Sequence, residues 1–124
     1  MPSTAQEKCE LFAVELRTTR WEEMVLWYRE VLGLRVLVRV LDDKYALLAA
    51  GTARLAILHR PKHHEPSARM SLAFEVANLT RTAARLRAAG AHLGEPHDNA
   101  EGLTDITTHD PDGNRIRLFS WKKR

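Results

Sequence analysis

The sequence predicts an α+β fold of two βαβββ modules, chiefly because the chain contains an internal repeat. Residues 13–17 alternate like a half-buried strand, and an amphipathic run from Trp21 to Leu32 follows them. The same pattern returns 58 residues later, at 71–75 and then at 79–89. In both runs the apolar residues recur at the helical period, so each helix presents one apolar face. Two like modules that face each other usually enclose a cleft.

The first module is predicted over residues 11–60. A strand over 11–18 precedes the helix, with Thr19 as the N-cap and Glu22 completing a capping box. The helix is expected to continue to Leu32, and Gly33 supplies the left-handed residue that ends it. The β-branched and turn residues that follow predict three strands over 34–41, 45–50 and 54–59.

The second module is predicted over residues 69–121, after a linker at 61–68 in which two prolines prevent regular structure. A strand over 69–77 leads to Asn78 as the N-cap of a helix that runs to Ala89 and ends at Gly90. A weak strand over 91–97 and a stronger one over 103–109 follow. The turn at 110–114 then enters the last strand, 115–121. Residues 1–10 form a polar lead-in, and residues 122–124 form a basic tail.

Composition indicates a single cytoplasmic domain. The chain has 124 residues, 44% of them hydrophobic, with no apolar run near the length of a membrane span and no apolar core for a secretion signal. Its single cysteine, Cys9, excludes an internal disulfide. The net charge is +3, but apart from the tail the basic residues are dispersed. Neither a nucleic-acid partner nor a membrane partner is therefore expected.

Three segments give the chain a resemblance to a known family. They are Trp27-Tyr28-Arg29-Glu30-Val31-Leu32-Gly33-Leu34, Leu86-Arg87-Ala88-Ala89-Gly90-Ala91 and the turn Asp110-Pro111-Asp112-Gly113-Asn114. Because these segments occur in this order on a matching repeat, the chain resembles the vicinal oxygen chelate superfamily, which includes glyoxalase I, extradiol dioxygenases and bleomycin-binding proteins. The resemblance implies that each module curls a mixed sheet into a cup with a helix on its convex face. It also implies that the two cups face each other.

The metal-dependent members of this family hold a divalent ion with four residues that line the cup. The resemblance places these positions on Ala13, Ala56, Ser71 and Arg117. Alanine has no donor atom, serine is a weak ligand, and a guanidinium repels a divalent cation. We therefore expect no metal, no other cofactor and no catalytic residue at these positions.

Strand alternation predicts which side chains occupy the cup face, defined as the face of each sheet that points away from its helix. The predicted ligand-binding residues are Glu15, Arg17, Arg54, Glu75, Arg117, Phe119 and Trp121. In one interpretation the carboxylates and guanidiniums simply pair with each other in a wet groove. In the other, the excess of arginine binds an anionic or carboxylate-bearing molecule, and Phe119 or Trp121 stacks on it. The small alanines nearby leave room for such a ligand.

The functional prediction is a metal-free small-molecule binding protein, similar to bleomycin-resistance proteins. The alternative is a divergent lyase, isomerase or dioxygenase-like enzyme with non-standard metal ligands, for example Glu15, Glu75 and His59 around a displaced ion. Metal-free acid–base catalysis by either glutamate, or a purely structural or regulatory role, also stays open. Leu26 and Trp27 lie off the apolar face of the first helix and predict a homodimer interface, since the family often pairs, sometimes with exchanged modules.

Overall fold

The computed structural model describes residues 8–122, so residues 1–7 of the predicted lead-in and residues 123–124 of the predicted tail lie outside the description. The elements, in chain order, are β1 Val14–Thr18, α1 Trp21–Glu30, β2 Arg35–Val40, β3 Tyr45–Ala50, β4 Ala53–His59, β5 Leu72–Glu75, α2 Leu79–Ala88, β6 His97–Asp98, β7 Leu103–His109 and β8 Arg115–Trp121. They form two four-stranded sheets, ordered β1-β4-β3-β2 and β5-β8-β7-β6. The predicted α+β fold of two βαβββ modules is thereby confirmed.

Each sheet is mixed in the same way. The first strand of each module pairs in parallel with the last, β1 with β4 and β5 with β8, and the other pairs are antiparallel. A helix of ten residues connects the first and second strands of each module. Because β1 and β5 pair with one neighbour only, each leaves one edge of its backbone open.

The repeat predicted in the helices is also present in the packing. The buried residues of α1 are Trp21, Met24, Val25 and Tyr28, and those of α2 are Leu79, Ala83 and Leu86. The α2 residues occupy positions 58 residues after Trp21, Val25 and Tyr28. Both faces pack into one core with the inward residues of the two sheets. The apolar period in the sequence therefore identified the buried helix faces correctly.

The N-terminal ends of the helices show one error and one success, and the C-terminal ends, Glu30 and Ala88, come before the predicted Leu32 and Ala89. Asn78 is the N-cap of α2, as predicted, because its Oδ1 accepts from the Arg81 N–H at 2.9 Å. The Thr19–Glu22 capping box is wrong: the N-cap of α1 is Arg20, and no side chain caps it. The Thr18 hydroxyl instead accepts from the Arg20 N–H at 2.9 Å, so a local turn competes with the box.

Several predicted strands are too long. β1 begins at Val14 rather than at residue 11, β5 covers only Leu72–Glu75, and the weak strand at 91–97 shrinks to the short pair His97–Asp98. These segments belong to the sheet edges, where each strand has a single neighbour to pair with. An alternating pattern predicts which sheet face each side chain occupies, but it does not predict how far a neighbouring strand pairs with the segment. Such a pattern therefore overestimates the length of an edge strand.

Polar contacts of Tyr28, Arg85 and Arg20 join the modules. Arg20 contacts the Pro111 carbonyl at 3.2 Å and Asp112 Oδ1 at 3.5 Å. The Tyr28 hydroxyl donates to Asp110 Oδ2 at 2.6 Å, across 82 residues of chain, and both groups are buried. Arg85 Nη1 donates to the Val31 carbonyl at 2.9 Å, which satisfies an acceptor at the end of α1. Tyr28 and Asp110 therefore tie α1 to the turn between β7 and β8.

We expect the Tyr28 contact to make the protein sensitive to alkaline pH. Burial, and then the neighbouring Asp110 charge, raise the pKa of Tyr28 above its ordinary value of 10.0. Because the folded pKa is raised, the stability that Tyr28 contributes is complete below pH 10 and declines as the pH rises further. Its stabilising contribution should fall by about 1.4 kcal/mol per pH unit above that point.

Urea unfolding of the native protein and of Tyr28→Phe, measured between pH 9 and pH 11.5, tests this expectation. The difference in unfolding free energy between the two proteins should be constant at first and then narrow above pH 10. A difference that stayed constant over the whole range would contradict it.

Candidate functional site

The strand registers arrange the cup-face residues in rows across each sheet. In the first sheet one row is Val38, Leu47, Ala56 and Glu15, and the next is Val40, Tyr45, Leu58 and Arg17. In the second sheet the corresponding rows are Thr107, Arg117 and Ala73, and then His97, Asp105, Phe119 and Glu75. The intervening residues, such as Ile57 and Leu118, point to the helices and are buried in the core. Strand alternation thus defines one face for packing and one for a site.

The predicted ligand-binding residues do not gather in one pocket. Arg17 lies 3.7 Å from Glu15, and both side chains are about half exposed. The rings of Phe119 and Trp121 are in edge-to-face contact, with centroids 5.7 Å apart. Arg54 stacks on the exposed ring of Phe12 at 5.2 Å. The predicted ligand-binding residues are therefore distributed over several separate local contacts.

Arg117 has a partner that the sequence reasoning missed. Its Nη2 and Nε lie 2.6 and 2.8 Å from Asp105 Oδ2, and Asn99 Nδ2 donates to the same oxygen at 3.2 Å. Arg117 also lies 5.9 Å from the Phe119 ring. The interpretation in which Arg117 pairs with Glu15 or Glu75 is corrected accordingly. The turn at 110–114 contained the signal, because a hairpin closed there brings residue 105 close to residue 117.

A cavity of about 460 Å³ opens beside this ion pair in the second module. Its lining residues are Gly94, Glu95, His97, Asn99, Glu101, Asp105, Thr107, Arg115 and Arg117. Arg115 is exposed and has no ion-pair partner within residues 8–122. Asp105 fixes the guanidinium plane of Arg117 through two of its donors. Arg115 adds a second guanidinium to the lining, and Glu95 and Glu101 add two carboxylates. The two guanidiniums are the groups of this lining that could contact an anion.

A second, larger cleft of about 740 Å³ lies between the two modules. On one side are the turn between β3 and β4 and Arg54, and on the other is the stretch 71–77, which includes β5. Arg54 and Glu75, two of the predicted ligand-binding residues, therefore line the same cleft. The rest of the lining is mostly aliphatic, with Phe74 among it. The cleft brings residues from the cup faces of the two sheets together.

The metal implied by the resemblance does not fit these residues. Ala56 is almost fully buried and offers no donor atom, and Ser71 is exposed. Arg117 places a permanent cation on the cup face and is already held by Asp105. Within residues 8–122 no group of three or more His, Cys, Asp or Glu side chains is placed to hold an ion. The donor set thus lacks the chemistry that a divalent metal requires.

His59 is not available to the cup. It follows Leu55 and Ile57 on the helix side of β4 and pairs with the buried Thr18. Its Nδ1 is buried and has no hydrogen-bond partner in the described part of the chain. The proposed combination of His59 with Glu15 and Glu75 around a displaced ion is therefore wrong, because the glutamates lie on the opposite sheet face.

The predicted interface residues differ from each other in exposure. Leu26 is 52% exposed on the outer side of α1. Trp27 is half-buried, packs against the core and meets the Tyr28 ring edge-to-face, with centroids 5.0 Å apart.

None of the helices in residues 8–122 is long and apolar enough to cross a membrane.

Comparisons with known proteins agree with this architecture. The model of the glyoxalase/bleomycin resistance protein/dioxygenase superfamily matches residues 11–118. A search of curated proteins found no match. Among solved structures, a glyoxalase/bleomycin resistance protein/dioxygenase from Nocardioides is similar with a TM-score of 0.73 at 22% identity, covering 96% of this chain and 88% of its own.

Two further structures show the same fold. A glyoxalase family protein from Enterococcus faecalis has a TM-score of 0.73 at 21% identity, covering 89% of this chain and 96% of its own. An integron cassette protein from the mobile metagenome of the Halifax Harbour sewage outfall has a TM-score of 0.77 at 15% identity, covering 90% and 97%. Two repeated modules, their strand order and the family match lead to one conclusion: the chain belongs to the glyoxalase/bleomycin resistance protein/dioxygenase superfamily.

Proposed function

We propose that this chain is a metal-independent small-molecule binding protein of its superfamily, comparable to the bleomycin-resistance proteins. Its ligand carries an anionic group, most simply a carboxylate, and occupies the cavity formed by the cup faces of the two sheets. The proposal rests on the presence of an arginine, Arg117, at the position where the family has a carboxylate metal ligand. There it is oriented by Asp105 and lies beside the exposed Arg115.

Binding in this site needs no bond to be broken. Asp105 occupies the Nε and Nη2 donors of Arg117, so the ligand approaches the remaining Nη1 donors together with Arg115. Phe119, half-buried next to Arg117, offers a ring for stacking. A charge-assisted contact to two guanidiniums gives both attraction and orientation. Arg54 and Glu75, which line the cleft between the modules, are the further charged residues that the proposal assigns to the ligand.

Replacing Arg117 by methionine should weaken binding of a simple carboxylate. Isothermal titration with butyrate, and with uncharged butyramide as the comparison, gives the measurement. The native protein should prefer butyrate, and Arg117→Met should lose about 10- to 100-fold in affinity, because one charge-assisted contact disappears and Asp105 is left uncompensated. Arg81→Gln, which removes an exposed guanidinium from α2, is the matched control and should bind like the native protein. Equal affinities for butyrate and butyramide would overturn the anionic part of the proposal.

The metal-independent part is tested separately. The protein is purified without chelator, incubated with Mn²⁺ or Ni²⁺, desalted and analysed for bound metal. Metal content far below one equivalent per chain, together with undiminished butyrate binding in the presence of chelator, is the expected result. One equivalent of bound metal per chain, with a metal content that changes in Arg117→Met or Ser71→Ala, would contradict metal independence.

We further propose that the protein is a homodimer that uses the Leu26 side of α1. Leu26 is a large exposed apolar residue, and Trp27 borders it. Sedimentation equilibrium should give twice the chain mass for the native protein and the chain mass for Leu26→Asp. Leu41→Asp, at a residue 66% exposed in the turn after β2, is the control and should remain dimeric. A native monomer, or a dimer unchanged by Leu26→Asp, would contradict this interface.

A further inference from the structure

The segment 94–99 lies alongside β7 over more than the two residues of β6. Before β6, the Gly94 N–H donates to the Thr107 carbonyl at 2.9 Å. After β6, the Asn99 N–H donates to the Leu103 carbonyl at 3.0 Å. Backbone contacts to β7 thus flank the short strand on both sides, so the whole segment has a defined position on the second sheet.

The side chains of this segment alternate between the two faces of the sheet. Glu95, His97 and Asn99 line the cavity beside Arg117, whereas Pro96 lines a groove on the side of α2. Alternation by two is the period of a strand, so the segment extends the cup face beyond β7. The cup face of the second module therefore includes a carboxylate, that of Glu95, at the edge opposite β5.

A second carboxylate, that of Glu101, lines the same cavity from the turn between β6 and β7. Asn99 Oδ1 accepts from the Glu101 N–H at 3.2 Å, and the Asn99 carbonyl accepts from the Gly102 N–H at 3.2 Å. Asn99 Nδ2 also donates to Asp105 Oδ2, the oxygen that holds Arg117. One side chain thus connects the turn that carries Glu101 to the ion pair on the cup face.

The cavity is lined by charges of both signs. Glu95, Glu101 and Arg115 have no ion-pair partner among residues 8–122. Arg117 and Asp105 pair with each other. An anion that binds at the guanidiniums also meets the repulsion of the two unpaired glutamates, and a positive group on the same molecule reverses that repulsion. The cavity therefore favours a ligand that carries both charges.

The two signs stand on different strands of the sheet. Arg115 and Arg117 belong to β8, and Glu95 belongs to the segment that contains β6, with β7 between them. Neighbouring strands are about 4.8 Å apart, so roughly 10 Å separates the two backbones. An ammonium and a carboxylate on one carbon cannot reach both sides of β7, whereas two such groups at the ends of a short methylene chain can.

We infer that the ligand is a zwitterion with its carboxylate and its ammonium at opposite ends of a short chain, which is the chemical class of the ω-amino acids. The carboxylate binds at Arg115 and at the Nη1 donors of Arg117, and the ammonium binds at Glu95 and Glu101. This inference rests on the proposed function, because it uses the same anion contacts. It adds the substrate class and needs only the cavity of the second module.

Four compounds of one chain length test the inference: γ-aminobutyrate, α-aminobutyrate, butyrate and butylamine. Their affinities for the native protein are measured by isothermal titration at one pH and one ionic strength. The affinity for γ-aminobutyrate should exceed that for butyrate about tenfold, because the ammonium adds charge-assisted contacts. It should exceed the affinity for α-aminobutyrate, the isomer with both charges on one carbon, by a similar factor.

Substitutions in the lining identify where the ammonium binds. Glu95→Gln should lower the affinity for γ-aminobutyrate about threefold, and adding Glu101→Gln should remove its advantage over butyrate. Neither change should weaken butyrate, because the two glutamates only repel it. Arg115→Gln should weaken both compounds by the same factor. The matched control is Glu22→Gln, which removes an exposed carboxylate from α1 and should change neither affinity.

The outcomes separate this inference from the proposed function. If γ-aminobutyrate binds no more tightly than butyrate, or keeps its advantage when both glutamates are replaced, the zwitterion is wrong and the anion-binding function stands. If α-aminobutyrate binds as tightly as γ-aminobutyrate, the inferred separation of charges is wrong and the inference fails. If butylamine binds as tightly as γ-aminobutyrate and butyrate does not bind, both the inference and the anionic function are wrong. Circular dichroism checks that each variant is folded.

Discussion

Asp110→Ala is expected to lower the free energy of unfolding by about 3–5 kcal/mol, because one buried carboxylate serves four donors. Asp110 is 5% exposed and accepts from the Tyr28 hydroxyl, the Asp112 N–H, the Asn114 N–H and Asn114 Nδ2, at 2.6 to 3.0 Å. Three of these contacts form the turn between β7 and β8, and the fourth holds α1. The substitution would therefore loosen the turn and the junction between modules together.

A double-mutant cycle isolates the junction. Tyr28→Phe removes only the hydroxyl that meets Asp110, so its effect should nearly vanish once Asp110 is already alanine. The coupling energy between the two substitutions should be about 1–3 kcal/mol, as for a hydrogen bond to a charged group. Urea denaturation of the four proteins gives this value.

The control is an aspartate in a comparable turn without such contacts. Asp43→Ala lies in the exposed turn between β2 and β3 and should change the unfolding free energy by no more than about 0.5 kcal/mol. A loss in Asp110→Ala as small as that of the control would show that the carboxylate does not organise the turn.

Leu86→Ala should also be strongly destabilising, by about 2–5 kcal/mol. Leu86 is fully buried, whereas Leu79, the other leucine that α2 contributes to the core, is 8% exposed and Ala83 is small. The remaining faces of α2 carry threonines, arginines and two small alanines, which cannot replace this contact. Truncation would leave a cavity under the helix and weaken its attachment to the second sheet.

Thermal and urea unfolding measure the effect. Leu41→Ala, the same chemical change at an exposed site, should be close to neutral. If Leu86→Ala were as mild as Leu41→Ala, this side chain would not hold α2 against the core. The buried positions that the repeat shares between α1 and α2 would then not contribute equally to stability.

Periodicity proved more informative than local motifs. The repeat located both helices, and alternation separated core from cup residues on β8. The bounds of β7 and β8 were predicted to the residue. The capping box at Thr19 failed because the Thr18 hydroxyl offered the backbone a competing acceptor. The ends of β1 and β5 failed because pairing at a sheet edge depends on a neighbour that the local sequence does not specify.

The composition of the cup was predicted from the sequence, but the partner of Arg117 was not. Alternation could assign Arg117 to the cup face, and the family motif could identify it as a replaced metal ligand. That Asp105 would bind it depends on side-chain reach across the β7–β8 hairpin. Likewise, Arg54 and Glu75 share a cleft only because the two modules pack together.

The sequence by itself therefore determined the two modules and the residues on each sheet face, because these follow from short-range periods of 2 and 3.6 residues. The resemblance to the family came from three short segments on that repeat. Tertiary structure alone decided which residue neutralises Arg117, which charges stay open, and where the cavity beside Arg117 lies. Such properties depend on distances between residues far apart in the chain, and a few ångströms separate an ion pair from an exposed charge.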